Sequence, residues 1–212
     1  MITSLNFRVR DNLTGDLRPI LYSLRAWRKG VALAIAASHR GGACVIRYED
    51  LVLDERVTLT KLTDFLSVKP FSADAFVNGI TDQHGNLWAG NSSFSDQKGI
   101  SRNSLEAYLE RLPRPVQNFI EAVCAPEMYL MGYGAKGSVS EHEHAIATYR
   151  DPFDSIHESF PADYSSDPAR LAAERKRLLM LQDGLTDPDE QCKWFIAPEA
   201  YSALEAACSL LQ

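Results

Sequence analysis

The sequence predicts an α/β fold, mostly helices around a short parallel strand core, with a helical extension at its C-terminal end. Three observations carry this. Apolar residues recur at three- and four-residue steps from Ile20 to His39, the period of an amphipathic helix. "ACVIRY" (Ala43 to Tyr48) follows two glycines, carries β-branched residues and reads as a short strand. A second helical period opens near Asp54, with Leu59, Leu62 and Leu66 on one face and Phe65 beside them. Helix, strand and helix within about fifty residues is the local pattern of a sheet layered with helices.

Each element has its own signals. Leu21, Leu24, Trp27, Val31, Ala34 and Ile35 supply the first helix with its apolar stripe, and "RGG" (Arg40 to Gly42) ends it, glycine being favoured just past a helix C-terminus. Ser67 to Asn103 is dominated by turn-forming residues, and a loop of that length is usually functional or without fixed structure. Trp88 and Phe94 within it favour a docked loop. Asn103, with Glu106 three residues on, suits a capping box for a helix carrying Leu105, Tyr108, Leu109 and Leu112. Pro115 suits the first turn of the next helix, and "MGYG" (Met131 to Gly134) its exit. Ser138 to Arg170 is polar and weakly periodic, which reads as a linker or wrapping segment. Asp167-Pro168, Asp187-Pro188 and Pro198 then mark three further helix starts. The expected division is 1–137 for the main domain and 138–212 for linker and helical extension.

The bulk numbers narrow the function. The chain has 212 residues, 45% of them hydrophobic and 24% charged, which suits a soluble globular protein. A net charge of −6 argues against a nucleic-acid surface, although it allows a local basic pocket. The longest apolar run, "VALAIAAS" (Val31 to Ser38), is too short to span a membrane. The opening "MITSLNFRVRDN" has no apolar stretch behind a basic one, so no secretory signal is expected. Cys44, Cys124, Cys192 and Cys208 are scattered, as free thiols would be, and the expected compartment is the cytoplasm.

Two blocks carry a resemblance. "VIRYEDLVLDERVTLTKLTDFLSV" (Val45 to Val68) resembles the strand-turn-helix near the middle of the sulfotransferase family. "HGNLWAGNSSFSDQKGISRNSLEAYLERLPRPVQNFIEAVCAPEMYLMGYG" (His84 to Gly134) is similar to that family's C-terminal third. With the Trp27 helix, the resemblance covers roughly Ile20 to Gly134. It implies an incomplete sulfotransferase fold of the P-loop-kinase type. It also implies transfer of a sulfuryl group from 3′-phosphoadenosine 5′-phosphosulfate (PAPS) to a hydroxyl or amine acceptor, without a metal. In the family the tyrosine of the Tyr-Glu-Asp turn lies against the adenine, which implies Tyr48. A Ser-Phe turn borders the nucleotide, implying Ser93 and Phe94 with Ser92 beside them. An Arg-Lys-Gly segment grips the 3′-phosphate in many members. Lys98 and Gly99 resemble it, with Gln97 in place of the arginine.

The chemistry of these side chains fits those roles. A flat aromatic offers a π-face to a base. Lysine is a compact charge for phosphate, and glycine lets backbone amides approach it. The family's Pro-Lys-Ser-Gly-Thr-Thr type loop for the 5′-phosphosulfate has no match, and its catalytic His or Glu would lie upstream of Met1. The expectation is a relative of the family whose own activity is lost or depends on an N-terminal half. The alternatives are a non-catalytic binder of the nucleotide product, 3′-phosphoadenosine 5′-phosphate (PAP), and an interaction module that pairs with another chain.

Other candidates read as structural. Glu49 and Asp50 suit helix capping or pairing with Arg47. "EHEH" (Glu141 to His144) offers metal-type ligands without a third and fourth, and suits a solvated linker. "YRDPFDSIHESF" (Tyr149 to Phe160) looks like a phosphate-site motif out of place, and suits a surface turn. Arg175, Lys176 and Arg177 suit one turn of a solvated helix face.

Overall fold

A computed structural model describes residues 18–70, 83–86, 105, 112–134, 138–152, 160–161 and 163–211. The chain forms two compact units, one of Met1–Ala43 with Leu109–Gln212, the other of Cys44–Tyr108. All regular structure among the described residues is helical. The expected parallel strand core is therefore corrected to an all-α arrangement. Residues 43–47 carry no regular structure, although Arg47 itself has extended dihedrals (φ −82°, ψ 144°). An apolar, β-branched run becomes a strand only when a neighbour pairs with it, and none among the described residues does.

In the first unit, α1 spans Ile20–His39, as its period predicts. Pro19 gives it no side-chain cap. Its first amides donate instead to distant side chains: Ile20 N–H to Asp151 Oδ2 (3.3 Å) and Leu21 N–H to Ser165 Oγ (3.3 Å). Asp151 thus caps a helix, which gives the Arg-Asp-Pro segment a structural purpose. At the other end Gly42 N–H reaches Ala37 O and Gly41 N–H reaches Ser38 O, with Gly41 at φ 71°. That is a Schellman stop, and the left-handed residue in it is the glycine such a stop prefers.

Helices α2 (Tyr48–Leu53) and α3 (Glu55–Leu66) belong to the second unit. Asp54 caps α3 through Val57 N–H (3.0 Å). Of the expected leucine face of α3, Leu59 and Leu62 are half-buried and Leu66 is exposed. Thr58 and Thr63 are enclosed, and their hydroxyls donate back to Asp54 O and Thr60 O. Val57, Phe65 and Leu66 are exposed.

The rest of the first unit is α4 (Arg114–Leu130), α5 (Val139–Thr148), α6 (Pro168–Asp183), α7 (Pro188–Phe195) and α8 (Pro198–Ser209). All three proline starts expected after residue 160 are present, with Asp167 and Asp187 as working caps. Pro115 opens α4, and Gly132 (φ 73°) closes it with Tyr133 N–H on Met128 O. The expected polar linker contains α5, fixed by a capping box between Ser138 and Glu141. His142 of "EHEH" is buried on its inner stripe with Ile146, so the solvated reading is corrected there.

One apolar cluster joins Leu21 and Leu24 of α1 to Val116, Phe119 and Val123 of α4, Ile146 of α5, and Leu171 and Leu178 of α6. Phe119 stacks flat on Tyr149, with ring centroids 3.5 Å apart. A second cluster gathers Leu181, Phe195, Tyr201, Leu204 and Cys208. Among the described residues no helix is long and apolar enough to cross a membrane, and no group of three or more His, Cys, Asp or Glu could hold a metal ion.

Candidate functional site

Tyr48 is the first residue of α2, directly after the extended segment. Glu49 and Asp50 occupy the first turn, where negative charge complements the exposed amides of a helix start. Leu51 N–H closes that turn on Arg47 O (3.2 Å). The Tyr-Glu-Asp triplet is therefore a helix beginning rather than a strand end. Arg47 grips Asp50 with two nitrogens, Nε donating to Oδ2 at 2.8 Å and Nη2 to Oδ1. This pairing was the expected one. The Arg47 hydrogen bond holds the Asp50 carboxyl below the usual carboxylate range, which makes Asp50 a poor proton acceptor. Lys61 Nζ donates to Val45 O (3.0 Å), pinning α3 to the segment that leads into the turn.

Tyr48 is 53% exposed, unusual for an aromatic residue beside an apolar run. Ser92, Ser93, Phe94, Lys98 and Gly99 lie outside the described residues, so Tyr48 is the one predicted site residue that the structure locates.

A group that the sequence reading missed lies in the first unit. Arg28 of α1 donates to Glu174 Oε2 (2.5 Å) and Val123 O (3.3 Å), and Arg25 Nε donates to Glu174 Oε1 (2.6 Å). Arg177 Nη2 donates to Glu127 Oε1. Arg28, Glu127, Glu174 and Arg177 are all buried. The solvated reading of Arg177 is therefore corrected, while Arg175 and Lys176 are exposed as expected. The signal was present in the sequence. Arg28 follows Leu24 by four residues and precedes Val31 by three, on the inward stripe of α1. Glu174 and Arg177 stand likewise among Leu171, Leu178 and Leu181. Burial first, and the Arg28 charge second, push the Arg177 pKa down, against the smaller opposing influence of Cys124 and Cys208. Burial lifts the neighbouring Cys124 thiol to about 12, which leaves it unreactive.

No family model matches the chain, and no solved structure does. A stretch of 93 residues, 43% of the chain, is 32% identical to carbohydrate sulfotransferase 7 of Rattus norvegicus. The match spans 19% of that relative's length. The chain is thus similar, over less than half of itself, to a limited part of a carbohydrate sulfotransferase.

Proposed function

We propose that this chain carries a nucleotide-facing part of a sulfotransferase, within residues 1–137, and binds PAP or PAPS against Tyr48. The reading rests on the partial similarity to a carbohydrate sulfotransferase. One structural observation supports it most: the exposed position of Tyr48 at the start of α2. Tyr48 would stack on the adenine. Ser92, Ser93 and Phe94 would border the nucleotide, and Lys98 and Gly99 would meet its 3′-phosphate. Arg47 stays with Asp50 and orients the turn. Sulfuryl transfer requires charge neutralisation around the moving group. No residue of this sequence supplies the family's 5′-phosphosulfate loop, so binding without turnover is the expected behaviour of this chain on its own. A hydroxyl or amine acceptor would enter with the residues that complete the site.

Calorimetric titration with PAP tests this. The unaltered chain should bind, and Tyr48→Ala should weaken binding by roughly 5- to 100-fold, the range of one aromatic-base stack. Lys98→Ala should weaken it further. Absence of binding by a folded chain would overturn the reading. The interaction-module alternative would then stand on the exposed Leu53, Val57, Phe65, Leu66 and Val68 of the same unit.

A further inference from the structure

The buried arginines of the first unit border a cavity of about 270 Å³. Five cationic side chains and two carboxylates line it, in a chain whose net charge is −6. Positive charge is therefore concentrated here against the overall balance, and part of it is out of water. Arg28 and Arg177 are 9% and 5% exposed. Within them, Arg28 Nε and Arg177 Nη1 are buried donors with no hydrogen-bond partner. Buried donors are nearly always satisfied, because leaving one unmet costs its desolvation in full. Glu127 Oε2 is a buried acceptor in the same condition. Trp194, Phe195 and Ile196 give the cavity an apolar part, with the Arg177 guanidinium 5.5 Å over the Phe195 ring. Ile196 holds φ 76°, a conformation rarely adopted by a β-branched residue. Strain of that kind collects at binding sites, where the surrounding structure enforces it.

We infer that this cavity binds a small organic anion, its oxyanion head on Arg28 and Arg177 and its apolar body along Trp194, Phe195 and Ile196. The head supplies acceptors to the two unmet donors and neutralises the excess charge. A hydroxyl on the ligand would suit Glu127 Oε2. Lys29, exposed at the cavity, adds attraction from the rim. The site lies wholly within the first unit and uses no residue of the Tyr48 turn. It is independent of the nucleotide reading.

The test is calorimetric titration of the full chain with phenyl sulfate, benzoate, inorganic sulfate and neutral benzamide, each paired with a thermal-shift measurement. Phenyl sulfate and benzoate should bind with dissociation constants on the order of millimolar or tighter, the range open to ligands of that size. Arg28→Lys keeps the charge beside Glu174 but removes the Nε donor, and should weaken binding about tenfold, the worth of one charge-assisted hydrogen bond. Lys29→Glu sits at an exposed position, spares the fold, and should weaken binding about threefold. Tyr48→Ala should change nothing, which separates this site from the nucleotide one. Benzamide binding as well as benzoate would overturn the anion assignment, and sulfate binding as well as phenyl sulfate would overturn the apolar half. Unchanged affinity in both variants, or no binding by a chain that circular dichroism shows to be helical, would overturn the site itself.

Discussion

In the helical unit, Phe119, Ile146 and Leu204 are enclosed on every side, and even charged groups such as Glu127 and Arg177 lie inside. In Cys44–Tyr108 the described helices show the reverse. Val52 is their one buried apolar residue, the other enclosed side chains are Thr58 and Thr63, and Tyr48, Leu53, Val57, Phe65 and Leu66 face outward. The first unit is held by burial across elements far apart in sequence. The described part of the second is held by local devices: the Asp54 cap, the Arg47–Asp50 pair and the left-handed Ser67 stop. Such devices contribute about 0.3–1 kcal/mol each, against several for an enclosed aromatic side chain. Density of burial, more than helix content, separates the first unit from the described helices of the second.

The sharpest way to break this contrast is to cut an ion pair in each unit. Glu174→Ala strands Arg25 and Arg28, and should cost about 3–5 kcal/mol in urea unfolding. Asp50→Ala removes a pair open to solvent and should cost under about 1 kcal/mol. Equal losses would end the distinction. Phenylalanine truncations sharpen it further. Phe119→Ala removes a ring from the first cluster and its stack on Tyr149, and should cost about 3–5 kcal/mol. Phe65→Ala should fall within about 0.5 kcal/mol, as surface changes do.

A pH effect tests the first unit alone. Tyr201 OH donates to Glu205 (2.6 Å) and accepts from Leu185 N–H (2.5 Å). Burial, with Glu205 beside it, raises its pKa to about 12 from the ordinary 10.0. The unfolded phenol loses its proton first. The phenol's contribution is therefore whole below pH 10 and fades as pH rises toward 12. Tyr201→Phe should cost about 1 kcal/mol at neutral pH. Unfolding curves of the two proteins should then converge between pH 10 and 12; parallel curves would contradict the assignment.

Most helix starts and stops were legible because their signals are local; α5 was missed although its Ser138–Glu141 capping box is equally local. Asp-Pro pairs, the double glycine after His39 and the Met-Gly-Tyr-Gly exit each act within a turn of the residue that bears them. The strand was misread because "ACVIRY" carries strand-type residues, whereas strand formation depends on a partner that sequence alone does not reveal. The inward charges were misread for a related reason. Arg177 belongs to a basic triplet that looks solvated, and its burial is decided by Glu127, fifty residues earlier. Of the candidate site, the Arg47–Asp50 pairing was legible because both partners sit in one turn. The capping of α1 by Asp151, 131 residues away, was not.

The four thiols differ in a way that has practical use. Cys124 and Cys208 are buried and held protonated, Cys44 is half-buried, and Cys192 is exposed on α7, two residues from Trp194. Brief alkylation under native conditions should therefore fall first on Cys192. A fluorophore placed there would sit on a helix that lines the arginine cavity, turning the protein into a reporter of its own ligand without any engineered residue.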